Sequence, residues 1–398
     1  MKDFAERLRR ESEDWVGRGI VSAEQRDGLL ALYPVTDSPS RFLTVLSSVG
    51  GALVALGVIL VIAANWEDIG DWVKIAGLIV ILVAAYGAGW TLIRRGHYPR
   101  IGESLIMVGC ILFLAGIALV SQIFHLDGRP ASALLIWWLG IVLLPYLTLS
   151  RGAQFVSLVA LLSWLGTELY ADGSPVRIVA DMDNDHAWIT GFAFAAGVGL
   201  AIFLRGLSLR RGGFDLFAGM YEKWGLLILH GAVYMLGFLR HLTGWNQAEP
   251  LAVVAWLPAL LLAVALAATA FLAWRSQPRE VGRLAPWIAL PMIAAAGVLA
   301  GIDLGDEGWL WSILAWLGLF LLDLGLVRIG VDSGREGWVN LAIAFLGINI
   351  LTRYFDLFGT LVDGGVLFLT SGVIILAVGI FLEKKRRRLL SSLREVNA

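Results

Sequence analysis

The chain has 398 residues, of which 58% are hydrophobic and only 16% charged, against about 25% charged in an ordinary soluble domain. A formal net charge of −1 gives no pull toward nucleic acid, and the single cysteine, Cys110, excludes an internal disulfide and any CxxC pair. Apolar runs of roughly 20 residues recur along the chain, each long enough to cross a bilayer, which places it among polytopic membrane proteins.

Residues 1–41 are polar and read as a small cytosolic appendage. Residues 2–17 form a helix with Phe4, Leu8 and Trp15 near one face, and Gly17 and Gly19 break it. Ser22-Ala23-Glu24-Gln25 then fits a capping box that opens a second helix, running to about Tyr33 before Pro34. A pair this small buries little core, so it is expected to rest on the membrane domain, on headgroups or on a cytosolic protein partner. The first apolar run begins at Phe42, too late for a cleavable signal peptide, and is read as a signal anchor.

Gly, Pro and charge breaks divide residues 42–382 into twelve runs: 42–64, 72–93, 102–124, 131–149, 152–170, 187–207, 222–242, 250–274, 283–302, 309–329, 337–355 and 363–382. The expected fold is an all-α transmembrane bundle of about 12 helices with cytoplasmic termini. Only Ser150 and Arg151 separate the fourth and fifth runs, and Pro145 suits a tight helical hairpin there. A basic tail, 383–398, contains Lys384-Lys385-Arg386-Arg387-Arg388, a stop-transfer and headgroup cluster.

With the N-terminus inside, 26 of the 31 Lys and Arg residues fall on the cytoplasmic side and 4 on the external side, Lys74 lying at a helix end. This is the positive-inside asymmetry. Trp66, Trp72, Trp188, Trp245 and Trp309 fall at outer boundaries, and Trp90, Trp224, Trp274 and Trp338 at inner ones, where indoles anchor at headgroup level.

No HExxH, GxSxG, GxGD, Walker A or strand-following GxGxxG motif is present, so no catalytic residue, cofactor or metal ligand is assigned. Asp181-Met182-Asp183-Asn184-Asp185 opens like a calcium loop, but His186 and Phe192 stand where Gly and Glu are required. His125, His230 and His241 lack metal-ligand spacing on any one helix.

Polar residues within membrane helices are the better signal, because burial of their charge is costly. Asn65, Lys74, Gln122, His125, Glu168, Arg240, Arg353 and Asp356 fall at outer helix ends. Asn349, Arg353 and Asp356 form one stripe, and His230, Tyr234 and His241 another. Either these side chains snorkel to water, or Asn65, Gln122, His125, Glu168, Arg353 and Asp356 converge on an outward polar pocket. Glu103 and Asp323 lie deeper, as candidate intramembrane carboxylates. Arg328 is off Asp323's face, so a partner from another helix is expected. Proton coupling and a structural interhelical bond are the two readings of Asp323.

Trp15, Gly19-Ile20 and Glu24-Gln25, then Ala63-Ala64-Asn65-Trp66 and Gln122-Ile123-Phe124-His125, resemble a bacterial family of membrane proteins, domain of unknown function 2157. The resemblance covers about residues 1–150, with Arg353-Tyr354-Phe355-Asp356 similar to its C-terminal end. It implies a multi-pass protein of the bacterial inner membrane and brings no activity, substrate or cofactor. Two functions are therefore carried forward. The first is binding or transport of a small solute, ion or lipid headgroup through the outward pocket. The second is a membrane scaffold or sensor that recruits a cytosolic partner through residues 1–41. An enzyme ranks third, and nucleic acid is not expected as a partner.

Overall fold

The computed structural model describes residues 2–32, 66–96, 98–170, 187–211, 213–238, 256–299 and 309–358, with isolated positions between 372 and 384. The expected span 42–64, nearly all of 363–382, and Asn65 lie outside these residues. The described elements are helical: α1 (Lys2–Gly17), α2 (Ala23–Leu32), α3 (Asp71–Arg95), α4 (Pro99–Ile123), α5 (Pro130–Ile141), α6 (Leu144–Thr148), α7 (Arg151–Tyr170), α8 (Ala187–Leu209), α9 (Asp215–Leu236), α10 (Trp256–Ser276), α11 (Pro278–Leu299), α12 (Trp309–Asp332) and α13 (Glu336–Phe358). Seven spans among them are long and apolar enough to cross a membrane: α3, α4, the α5–α6 pair, α7, α8, α11 and α12. The chain is a multi-spanning membrane protein.

Residues Met1–Lys74 and Ile75–Ala398 form two compact units. In the first, α1 ends where Gly19 takes φ +69°, with Ile20 N–H bonded to the Trp15 carbonyl at 2.9 Å. That left-handed residue is the helix stop expected of glycine. The capping box forms as read: Gln25 N–H donates to Ser22 Oγ at 3.1 Å and Ser22 N–H to Gln25 Oε1 at 2.9 Å.

The second unit contains two main apolar cores. Ile106, Cys110, Trp137, Ile141, Ala153, Val156 and Ala160 join α4, α5 and α7. Ile189, Phe203, Leu229, Leu236, Leu284, Ala294, Trp311, Leu319 and Leu322 join α8, α9, α11 and α12. The run 131–149 is not one straight helix. It breaks between Ile141 and Leu144 because Pro145 cannot donate the next backbone bond. The hairpin then closes through Leu149 at φ 52°, and Ser150 Oγ accepts the Ala153 N–H at 3.2 Å.

α8 and α9 approach until their backbones nearly touch. A Cβ on Gly225 would lie 2.3 Å from Phe203 N, and one on Gly199 would lie 2.5 Å from Leu229 N. Small residues allow such approach where lipid supplies no hydrophobic drive. Gly225→Val is expected to cost about 1–3 kcal/mol or more through overpacking. Gly219→Ala, with nothing within 4 Å of the new methyl, should be neutral or slightly stabilising. Thermal unfolding in detergent compares them, and equal melting temperatures would refute the close-packing account.

Candidate functional site

α9 begins seven residues earlier than the run 222–242, which places Glu222 inside a helix rather than at its entry. From Glu222, each step of four residues returns close to the same face, through Leu226 and His230 to Tyr234. That face turns toward α12 and α13 and carries a chain of polar contacts through an apolar core.

At the first end, Glu222 is only 2% exposed. Arg210, just beyond α8, holds its carboxylate with a two-pronged contact, Nε to Oε1 at 2.7 Å and Nη2 to Oε2 at 2.8 Å. Trp338 Nε1 donates to Oε2 at 3.0 Å, and Arg335 Nη1 lies 3.5 Å from Oε1. Arg335 also pairs with Glu280 of α11 and stacks 4.2 Å over the Trp338 ring. The hydrogen bonds that Arg210 donates to Glu222 hold its pKa above the usual arginine value, against burial. Burial lowers that of Arg335, opposed by Glu222 and Glu280. Trp338 is a correction to the sequence reading. Trp90, Trp274 and Trp309 are exposed, as anchors should be, but Trp338 is 3% exposed because its N–H is spent on Glu222.

Two turns further along α9, His230 and Asp323 are both fully buried, with Nε2 and Oδ1 2.9 Å apart. The partner of Asp323 therefore comes from another helix, as expected. The Leu226 carbonyl lies 2.7 Å from His230 Nδ1; a carbonyl only accepts, so Nδ1 carries a hydrogen. The remaining contact, Nε2 to Oδ1, then needs one proton between two lone pairs. Whichever atom holds it, the pair is neutral overall when that proton is present. The imidazole packs 4.6 Å from the Phe345 ring of α13. One turn beyond Phe345, Asn349 is 1% exposed, and neither its amide atoms nor Asp323 Oδ2 has a hydrogen-bond partner among the described residues. Buried polar atoms of this kind favour an incoming polar group.

Toward the other end, Tyr234 donates to Thr352 Oγ1 at 2.9 Å, Thr352 to the Ile348 carbonyl, and Ser312 to the Gly237 carbonyl. Arg353, 7% exposed, sits 4.6 Å over the Phe238 ring. From Glu222 to Gly237 the chain of contacts spans about 22 Å at 1.5 Å per residue, with His230 near its middle.

The other residues read from the sequence gather elsewhere. Glu168 of α7 pairs with Arg129 at 2.8 Å, and Arg129 and Gln122 share the wall of an apolar cavity of about 810 Å³ with Leu78, Phe113 and Ile136. His125 is exposed at φ 49° and ends α4: its N–H reaches the Gln122 carbonyl at 3.4 Å, and Leu126 N–H that of Ser121 at 2.9 Å. This is a helix stop with histidine in the usual glycine position. Thus Gln122, His125 and Glu168 belong to the α4–α7 half, while Arg353 lies against Gly237 and Phe238, just beyond the end of α9. Glu103 is half-buried near the start of α4, where a Cβ on Gly152 of α7 would lie 3.5 Å from its carbonyl. The side chain of Asp356, like Asn65 and His241, lies outside the described residues.

Residues 13–154 match the model of a family described as predicted membrane protein, DUF2157. This agrees with the N-terminal resemblance read from the sequence, and the match closes at the start of α7. The α8–α13 core with the Asp323–His230 pair lies beyond the DUF2157 match. No curated protein and no solved structure matches the chain.

The sequence pattern picks out Asp323 and the stripes of His230 with Tyr234 and of Asn349 with Arg353 without joining the three, and it does not distinguish Glu222 or Arg335. Glu222 sits in Tyr-Glu-Lys-Trp at a predicted interface, where a charge needs no explanation. The available signal was that Arg210, Glu222, Glu280 and Arg335 together balance in charge at one end of the bundle.

Proposed function

We propose that this protein moves a small polar solute across the bacterial inner membrane, coupled to a proton carried by the Asp323–His230 pair. The observation that supports this reading is a fully buried carboxylate–imidazole contact midway along a polar face, with Asn349, whose amide has no partner among the described residues, one turn along α13 from the Phe345 ring that packs on His230. Intramembrane ionisable groups are expensive and typically mark ion or proton paths. Loss of the shared proton leaves an uncompensated carboxylate in the core, so release requires solvent access or a replacing cation. Solute contact with the Asn349 amide and Asp323 Oδ2 would supply the coupling, by changing which state of the pair is stable. The proposal includes twelve spans with both termini in the cytoplasm, on the strength of the charge asymmetry.

Proteoliposomes with a pH-sensitive dye inside test the coupling. With a pool of amino acids, sugars and organic acids supplied outside, the wild-type chain should change the lumenal pH in a solute-dependent way, and Asp323→Asn should not. Equal signals from both chains, or none from the wild type, would reject proton coupling. Topology is tested separately: reporters fused after Ala398 or within 1–40 should read cytoplasmic, and those within 171–186 external. An external C-terminus would overturn the orientation.

A further inference from the structure

A second cavity, of about 390 Å³, lies between α7, α8 and α10, apart from the Asp323–His230 pair. Its walls are apolar, with Trp164, Val198, Leu262 and Ala265 among them; its polar residues are Arg205 and Tyr221, on the side of Arg210 and Glu222, and Thr269, whose hydroxyl donates to the Ala265 carbonyl of its own helix. Along α8 the cavity reaches from Phe194 to Arg205, about 16 Å at 1.5 Å per residue. That is close to half of a hydrocarbon core about 30 Å thick, the depth of one leaflet. Arg205 is half-buried and its described hydrogen bond runs to Ser208 Oγ at 3.3 Å; among the described residues no carboxylate pairs with it. Tyr221 is held beside it by Gln154, whose Nε2 donates to the phenol at 2.7 Å, and by Tyr146 at 3.3 Å.

We infer that this cavity binds an acidic phospholipid, its acyl chain between α7, α8 and α10 and its phosphate on Arg205 and Tyr221. The occupant follows from two complementarities that must hold together. The slot is apolar over the depth of one leaflet, which suits an acyl chain and excludes a polar solute. At the headgroup end it presents a guanidinium fork, which matches phosphate oxygens in pairs, and basic pockets between membrane helices hold anionic headgroups in this way. A cation that only snorkelled to water would show neither a lipid-shaped slot beneath it nor a preference for headgroup charge.

Native mass spectrometry of the full chain in a neutral detergent, titrated with dioleoyl phosphatidylglycerol or dioleoyl phosphatidylcholine, tests the assignment. The wild-type chain should retain phosphatidylglycerol at about tenfold lower concentration than phosphatidylcholine. Arg205→Gln should abolish that preference, and Arg205→Lys should keep part of it, since lysine retains charge but not the fork. Val198→Trp, which fills the slot, should weaken both lipids, while exposed Arg151→Gln leaves the wild-type pattern unchanged. Equal retention of the two lipids by the wild-type chain would overturn the inference. So would an undiminished preference in Arg205→Gln or, if that chain fails to fold, undiminished binding in Val198→Trp.

Discussion

Glu222→Ala is expected to destabilise the protein by about 3–5 kcal/mol, the cost of stranding buried partners of an ion pair. Glu222 is 2% exposed and accepts from Arg210 twice and from Trp338 once, with Arg335 3.5 Å away. Without it the indole N–H has no acceptor, and Arg335 loses one of the two carboxylates that offset its burial. Five chain segments meet at this carboxylate and its partners: the end of α8, α9, α11, the α12–α13 turn and α13. Thermal unfolding in detergent measures the loss. Arg210 has a raised pKa because Glu222 hydrogen-bonds its charged form. Its stabilising contribution is therefore complete below the ordinary arginine pKa and disappears only above it, so raising the pH from neutral to moderately alkaline should leave this part of the stability unchanged. Replacing Arg210, Glu222, Glu280 and Arg335 together by methionine should recover much of the loss, because a buried ion cluster contributes little over an apolar one of equal volume. A single alanine variant that melts like the wild type would show that the cluster is not structural.

His230→Ala and Asp323→Asn should separate stability from function at the centre of the bundle. The alanine leaves the carboxyl, fully buried, with no partner for either oxygen among the described residues and opens a cavity, and about 3–5 kcal/mol should be lost. The asparagine differs, because its amide N–H can donate to His230 Nε2 and so reproduces the proton-bearing form of the pair. Its cost should stay within about 1 kcal/mol, the worth of one neutral hydrogen bond, while proton-dependent flux disappears. Melting temperature and dye-reported flux, read on the same preparations, check both halves. An Asp323→Asn chain that unfolds as readily as His230→Ala would make the pair a structural bond and remove the support for coupling.

Much of the architecture is legible residue by residue, because local physics decides it. An apolar run longer than the hydrocarbon core has no alternative to a helix when lipid offers no hydrogen bonds. Gly19 and the Ser22–Gln25 box act on backbone groups three to five residues away, and they formed as read. Pro145, Leu149 and Ser150 sharpened a hairpin whose place was visible but whose break was not. What tertiary structure decided is which polar residues meet. Tyr234 and Thr352 are 118 positions apart, and His230 and Asp323 are 93 apart. The rotation of α9 that brings them together rests on Gly199 and Gly225 admitting a neighbouring backbone. A one-dimensional pattern places His125 and Arg353 alike, as polar residues at helix ends. In three dimensions His125 is a left-handed helix stop facing outward, and Arg353 is buried over Phe238. The sequence alone determined a multi-spanning helical membrane protein with buried carboxylates in want of partners. Packing chose those partners, because electrostatic contacts a few ångströms long depend on helix rotations that hydrophobicity does not encode.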